Sequence, residues 1–426
     1  MDLQTHSRFP ILSVLADSGF RTIWYVGSLA EVARRIELMV LGWLILQLTD
    51  SYFLLGLVLV FNNLPRPVLS LFTGLLADRF DRRLILFAAQ TVSTLTAGVV
   101  LSAMVVDLEV IRPWHVFAVV FLQGVVRAVE DPSRRTGIMD IVGTRRLVNA
   151  LSLDVLTHTG GKLVGPLLAG IVLASAGFQA AYVCVLIIHL VNLVLVTRLN
   201  IPRSQGDLNQ ESVWRSLAVG IKHAWGSREL LGVMYVTVIM NALAFPVQQF
   251  VPAVGRDNLH VGVGLVGLMV AAEGFGQVAG AAVLALSRNI GNRGLVFVLG
   301  SMLVLVSAGL FAWAPWYFLA LLILGVGGMG QAAFGTMQSA ITLLSAPPEM
   351  RGRMMGVLSQ CIGLGTILGG LEMGILAGLF GIQWSISVNV LAGILSLAPV
   401  LMFSALVRRR PTEGQPVAAE DSAIGS

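Results

Sequence analysis

Long apolar blocks alternate with short polar interruptions along the whole chain. A helix needs about 20 apolar residues to cross a bilayer. On that scale the blocks predict spans near residues 22–47, 53–76, 84–106, 113–131, 149–174 and 178–198. A second set is predicted near 230–252, 262–286, 294–314, 316–344, 355–378 and 383–406. The polar stretches of the two sets echo one another. R-R-L-V-N-A-L-S between the fourth and fifth spans corresponds to R-G-R-M-M-G-V-L-S between the tenth and eleventh, and the connection holding Asp78 corresponds to the one holding Arg288. The expected fold is therefore an all-α membrane protein of twelve transmembrane helices in two pseudo-symmetric six-helix bundles. Internal repetition of this kind, with substrate held between the repeats, is a transporter architecture.

Between the sets, residues 199–211 read as a polar linker that leads into E-S-V-W-R-S-L-A-V-G-I-K-H-A-W. Trp214, Leu217, Ala218, Ile221 and Trp225 share one face of that helix, and Arg215 and Lys222 lie off it. It should lie in the cytoplasmic membrane interface or else pack as a short soluble helix on the linker. The expected domains are a first bundle over 1–198, a linker with its amphipathic helix over 199–228 and a second bundle over 229–407. The tail over 408–426 has too little apolar surface to fold.

Composition agrees with the pattern: 56% of residues are apolar, 12% are charged and the mean hydropathy is +0.83. Soluble domains carry about 25% charged residues. With so few charges, their positions matter. One set of connections holds Arg8, Arg21, Arg79, Arg82, Arg83, Arg134, Arg135, Arg145, Arg146, Arg198, Arg203, Arg215, Lys222, Arg228, Arg288, Arg293, Arg351, Arg353 and Arg408 to Arg410, and the other holds only Arg112 and Arg256. That asymmetry places both termini in the cytoplasm, and it explains the basic pI by membrane orientation rather than nucleic-acid binding. No cleavage-type segment precedes the first span, which should act as an uncleaved signal anchor. Cys184 and Cys361 lie far apart inside apolar runs, in neither a metal-ligand nor a redox spacing.

The connection after the second span, G-L-L-A-D-R-F-D-R-R at residues 74–83, resembles the loop signature G-x-L-A-D-R-x-G-R-R of the major facilitator superfamily. Gly74, Asp78, Arg79, Arg82 and Arg83 fall on it, and Asp81 replaces its second glycine. The fifth span carries G-K-L-V-G-P-L-L-A-G, in which Gly161, Gly165, Pro166 and Gly170 resemble the superfamily's antiporter signature, with Ala169 in place of one glycine. Small residues at this spacing let helices approach closely, and a proline removes a backbone donor. F-R-T-I-W-Y-V-G-S-L at the first span, E-D-P-S-R-R leaving the fourth and P-P-E-M-R-G-R-M-M-G before the eleventh are similar to one branch, the enterobactin exporters and macrolide efflux proteins. The resemblance implies a monomeric secondary transporter of the bacterial cytoplasmic membrane. It would work by alternating access on a small-molecule substrate, among membrane lipids and without a cofactor. It also implies a cytoplasmic gate between Asp78 and the start of the eleventh span at Arg351 and Arg353.

Five bases remain inside the predicted spans: Arg34, Arg35, Arg66, Arg127 and Lys162, all in the first set. A charge at mid-membrane costs about 2.5 to 3.5 kcal/mol even on the lenient insertion scale, so each needs a partner or water. Glu31 and Arg35 are four apart, and Arg34 is three from both Glu31 and Glu37, so adjacent turns can pair. Such a cluster either ties helices together or faces the cavity to bind substrate and exchange protons. Arg127 and Glu130, near the end of the fourth span with Asp131, read as gate anchors. Asp154 and Lys162 are too far apart to pair and should each meet a neighbouring helix. In the second set, Glu273 is a further proton-carrying candidate, or a structural carboxyl bonded to Gln277, and Glu372 lies toward the outer end of its span.

No Ser/His/Asp arrangement, phosphate loop or clustered metal ligands stand out, and His115, His158, His189 and His260 are scattered singly. Without a nucleotide-hydrolysing module the drive must be a gradient. The leading reading is a proton-coupled exporter of drug-like or siderophore-like amphipathic molecules. The alternatives are a lipid or lysolipid translocator and, from another class, a non-transporting membrane sensor or assembly subunit. A membrane-embedded enzyme lacks its nucleophile or metal.

Overall fold

The structure is a computed structural model that describes residues 12–69, 81–107, 110–201, 213–287 and 291–403. Its first helix, α1 (Ser18–Thr49), starts where the Asp17 carboxylate accepts the amides of Gly19 and Phe20 at 3.0 and 3.2 Å, satisfying orphan donors of the first turn. It is followed by α2 (Tyr52–Leu69) and α3 (Arg82–Val106). The helical stretch Pro113–Thr197 breaks at Gly143 (φ 69°) and Gly177 (φ 79°), conformations that favour glycine, and so yields α4 (113–142), α5 (144–176) and α6 (178–197). After α7 (Val213–Gly226) come α8 (Arg228–Asp257), α9 (Val263–Leu286), α10 (Arg293–Ala312), α11 (Tyr317–Leu344), α12 (Arg351–Phe380) and α13 (Ile382–Phe403).

Nine helical stretches among the described residues are long and apolar enough to cross a membrane, and one of these, Asn149–Thr197, is divided by Gly177 into α5 and α6. The two remaining membrane-length helices, α1 and α4, carry the buried charges that lower their hydropathy. Together they supply the twelve crossings of the expected fold.

One sequence expectation needs correction. The fourth span was expected to end at residue 131, with E-D-P-S-R-R leaving the membrane, yet α4 continues through Pro132 to 142, and Glu130, Ser133 and Arg134 are buried. Arg134 is tolerated inside because it pairs with Asp154 of α5. The helix α8 also has a feature no periodicity revealed. It passes through a π-helical turn at Met240–Ala244 just before Pro246.

Lipid tails are as apolar as leucine, so the helices associate through close packing rather than the hydrophobic effect. Two helix pairs join the first six crossings to the last six. On one side α5 meets α9, where a Cβ added to Gly170 would lie 2.8 Å from Gly267 Cα. On the other, α2 meets α12, where a Cβ on Gly374 would lie 3.3 Å from Gly56 Cα. The linker helix α7 lays Gly220 against Val357 and Arg353 of α12, and leaves Ala218, Ile221 and Trp225 exposed.

Candidate functional site

The site is built on two glycines. Gly161 and Gly165 of α5 have no side chain, so α1 settles directly on them at Glu31 and Arg35. Glu31 is 1% exposed. Its Oε1 accepts Arg35 Nε at 2.8 Å and lies 2.8 Å from Arg35 Nη2, while its Oε2 lies 3.2 Å from Arg34 Nη2 and 3.5 Å from His158 Nδ1. Arg34 reaches across to Asp131 of α4 at 3.7 Å, and Asp131 also takes Arg127 at 3.4 Å. Arg134 pairs with Asp154, which Arg135 approaches at 3.6 Å. Behind these pairs, Glu130 accepts Gln90 Nε2 at 3.1 Å, and Gln90 Oε1 lies 3.2 Å from His189 Nδ1. The network thus uses α1, α3, α4, α5 and α6, all from the first half.

Arg35 also lines a cavity of ≈ 140 Å³ where the two halves meet. Lys162 of α5 enters it from the same half, and Phe245, Gln248 and Glu273 enter it from α8 and α9. The Lys162 ammonium donates to Gln331 Oε1 of α11 at 3.2 Å, and the Gln248 amide donates to Glu273. Beyond the cavity, at the end of the molecule far from Arg82 and Arg351, polar groups tie the halves together. Arg256 Nη1 is 2.9 Å from both Asp50 Oδ1 and the Leu46 carbonyl, Arg256 Nε donates to Asp257 at 2.6 Å, and the Tyr52 hydroxyl donates to Asp257 at 2.7 Å. The arrangement is a partly open compartment with bases and an acid on its wall, formed by helices of both halves. It can hold a small molecule, and among the described residues no group of His, Cys, Asp and Glu is placed to hold a metal ion.

A profile of the family described as "Transmembrane secretion effector" matches residues 10–421. The chain belongs to the transmembrane secretion effector family. It is 24% identical over 406 residues to the enterobactin exporter EntS of Shigella boydii serotype 4 (strain Sb227), covering 92% of this chain and 94% of that one. The EntS of Escherichia coli O81 (strain ED1a) is 23% identical over the same shares. Among solved structures, the nucleoside transporter NupG superposes with a TM-score of 0.70 at 16% identity, over 91% of this chain and 99% of that one. A bacterial homologue of the human lysosomal transporter Spinster, inward-facing and unoccupied, gives 0.71 at 12% identity over 92% and 96%. The fold is that of the major facilitator superfamily. This secretion effector is a multi-pass membrane transporter and not an enzyme.

The remaining expected residues of the effector divide among three places. Glu37 does not join Arg34: it is buried in the core on another face of α1, with the Tyr182 hydroxyl 3.4 Å from its carboxylate. Arg66 has no ion pair or hydrogen bond among the described residues. Arg127 and Glu130, expected at a gate, sit in the buried network of the first half. Of the hinge, Gly74, Asp78 and Arg79 lie outside the described residues. Arg82 pairs with Asp140 of α4, and Arg83 donates to the Thr197 carbonyl of α6. Arg351 Nε donates to the Leu343 carbonyl at 3.0 Å, and Arg353 lies beside α7. In the antiporter-like stretch, Gly161 and Gly165 face α1 whereas Gly170 and the Pro166 carbonyl face α9.

Sequence reading passed over Gln90, Gln248, Gln331 and Asn241. The signal was present, since each is an amide inside an apolar run, where an unpaired polar group is costly and must find a partner.

Proposed function

We propose that this transporter is a proton-coupled exporter of small amphipathic molecules, drug-like or siderophore-like, working by alternating access in the bacterial cytoplasmic membrane. The observation that carries this reading is the compartment between the halves, where Arg35, Lys162 and Glu273 meet on helices of both. A binding compartment shared by two halves is what a rocking mechanism requires, and ionisable side chains inside a membrane mark substrate or proton pathways. The near-full-length likeness to exporters named for enterobactin supports the outward direction. Both termini are taken to be cytoplasmic, on the basic side, and the far-end contacts of Arg256 then close the outward face. The monomer is the working unit, with bundles over 1–198 and 229–407 joined by 199–228.

Coupling needs a carboxylate that gains and loses a proton as its surroundings change between states. Glu31 can do so if its contacts with Arg34, Arg35 and His158 rearrange, and Glu273 can do so if Gln248 and Lys162 move. Uptake of a panel of candidate compounds into inside-out vesicles, with and without an imposed pH gradient, tests the proposal. Substrate-dependent proton movement that disappears in Glu31→Gln or Glu273→Gln is expected. Uptake that follows sodium, or ignores both gradients, would remove proton coupling from the reading.

A further inference from the structure

The compartment has two unlike walls. From the first half come Arg35 and Lys162; from the second come Phe245 and the neutral amides Gln248 and Gln249. Phe245 is held edge-on by Phe334 (5.1 Å, 70°), which stacks on Phe297 (5.1 Å, 24°), so the apolar wall is backed by a rigid aromatic series. The one carboxylate on the lining, Glu273, already accepts the Gln248 amide. Lys162 by contrast offers three donors and meets one neutral acceptor, Gln331, among the described residues. No carboxylate lies within ion-pair distance of it there.

The pattern of ion pairs points the same way. Of the five bases Arg34, Arg35, Arg66, Arg127 and Lys162, the first two and Arg127 form ion pairs with Glu31 and Asp131, whereas Arg66 and Lys162 form none among the described residues. Lys162 is the one of these two on the cavity lining. A cation away from water with no carboxylate in direct contact is costly, and an anion entering from solution would relieve that cost. A cationic cargo would add to it.

We propose that the cargo is a small amphipathic organic anion, its negative group received by Lys162 beside Arg35 and its apolar body laid against Phe245. This rests on the transport reading and narrows it to a substrate class. The cavity volume of ≈ 140 Å³ suits a bicyclic aromatic acid better than a lipid with a full acyl chain.

The test is equilibrium dialysis of the purified full chain in nanodiscs of neutral lipid against three radiolabelled probes of one shape: 2-naphthoate, 2-naphthamide and 2-naphthylmethylammonium. The expected order is naphthoate tightest, by about tenfold or more over the ammonium, the size of one charge-assisted hydrogen bond. Lys162→Gln should reduce naphthoate binding by about tenfold and leave naphthamide within about twofold. Lys162→Arg should restore it, and Phe245→Leu should weaken all three alike. A fourth arm uses lysophosphatidylglycerol: Lys162-dependent capture of that lipid in place of naphthoate would uphold the anion preference and assign its source to the membrane. Equal binding of the three naphthyl probes, preference for the ammonium, or a Lys162→Gln effect common to all three would overturn the proposal. Because binding is read without transport, any of those results would leave the export reading standing. Absence of gradient-driven movement in vesicles would instead remove export and leave the charge preference intact.

Discussion

The contact of α1 with α5 in the first half has a counterpart in the contact of α8 with α12 in the second, and the two differ in an informative way. Gly161, Gly165, Gly170 and Gly177 recur in α12 and its following turn as Gly365, Gly369, Gly374 and Gly381, at the same intervals of four, five and seven residues. The turn glycines match in conformation as well as position, at φ 79° and 82°. Each frame seats a helix in the same manner. Gly161 and Gly165 receive Glu31 and Arg35, while Gly365 and Gly369 receive Asn241 and Pro246. The occupants are unlike. Where the first half places Lys162, Asp154 and His158, the same steps from the matching glycines give Thr366, Leu358 and Ile362. Thr366 donates to Asn241 at 3.2 Å, a neutral contact in place of a cluster of ions. The frame alone therefore holds two helices together without charge. The ions of the first half are additions to that frame, and each carries a cost in a membrane.

The largest effect should come from breaking a closed pair in the charged half. Asp154→Ala leaves Arg134, 2% exposed, without its partner, and unpairing a buried charge costs about 3–5 kcal/mol. Thermal unfolding in detergent should show that loss, with Arg134→Met added to Asp154→Leu recovering most of it. An unchanged melting curve for Asp154→Ala would mean the pair contributes nothing to the scaffold.

Next in size is the neutral half, where helices approach backbone to backbone. A Cβ on Gly276 would overlap the Gly325 carbonyl, whereas one on Gly335 meets nothing within 4 Å. Gly276→Ala should destabilise by about 1–3 kcal/mol as an overpacked contact. Gly335→Ala should be neutral or gain up to about 1 kcal/mol from helix propensity. Equal melting temperatures for the two variants would erase the distinction between a packed and a charged half.

A third change separates scaffold from function within the first half. Glu31→Gln should lower transport by about tenfold, equivalent to about 1.4 kcal/mol, with a smaller effect on folded yield, and Arg35→Gln added to it should recover part of the loss. If the single change instead removes stable protein and the double change restores it, the cluster is a helix tie. The smallest effect is expected at the far end. Asp50 is 82% exposed, so Asp50→Asn should alter stability by about 1 kcal/mol or less. Its signature would be faster labelling of a cysteine placed beside Tyr52, and unaltered labelling would show that Arg256 needs no partner there beyond Asp257 and the Leu46 carbonyl.

Much of this architecture could be read in the chain. Apolar blocks of membrane length gave the helices because a bilayer demands about 20 residues per crossing, and the glycine stretch of the fifth span was visible as a packing surface. Two kinds of information stayed hidden. The end of α4 was misplaced because Glu130, Asp131 and Arg134 look like loop residues until the partners Gln90, Arg34 and Asp154 are known, and those lie on other helices. Spacing along α1 allowed Arg34 to pair with Glu31 or Glu37, but the choice fell to Asp131 across the bundle, which draws the guanidinium to the Glu31 side. Lys162 was expected to meet a neighbouring helix, yet nothing in the fifth span could name Gln331, 169 positions away.

The glycine contacts that join the halves are the same contact made twice. Gly56 and Gly267 are each the fifth residue of their helices, α2 and α9, and they face Gly374 and Gly170, themselves matched in register. Such an arrangement is the isologous interface of a twofold dimer, with both protomers carried on one chain. In a dimer of identical subunits a substitution at the axis is felt at both contacts at once. Here each contact is made by its own residues, so one can be stiffened while the other stays free. The two seams of the molecule, α5 against α9 and α2 against α12, can therefore differ in how readily they part, and a rocking of one half on the other would turn on two joints of unequal stiffness.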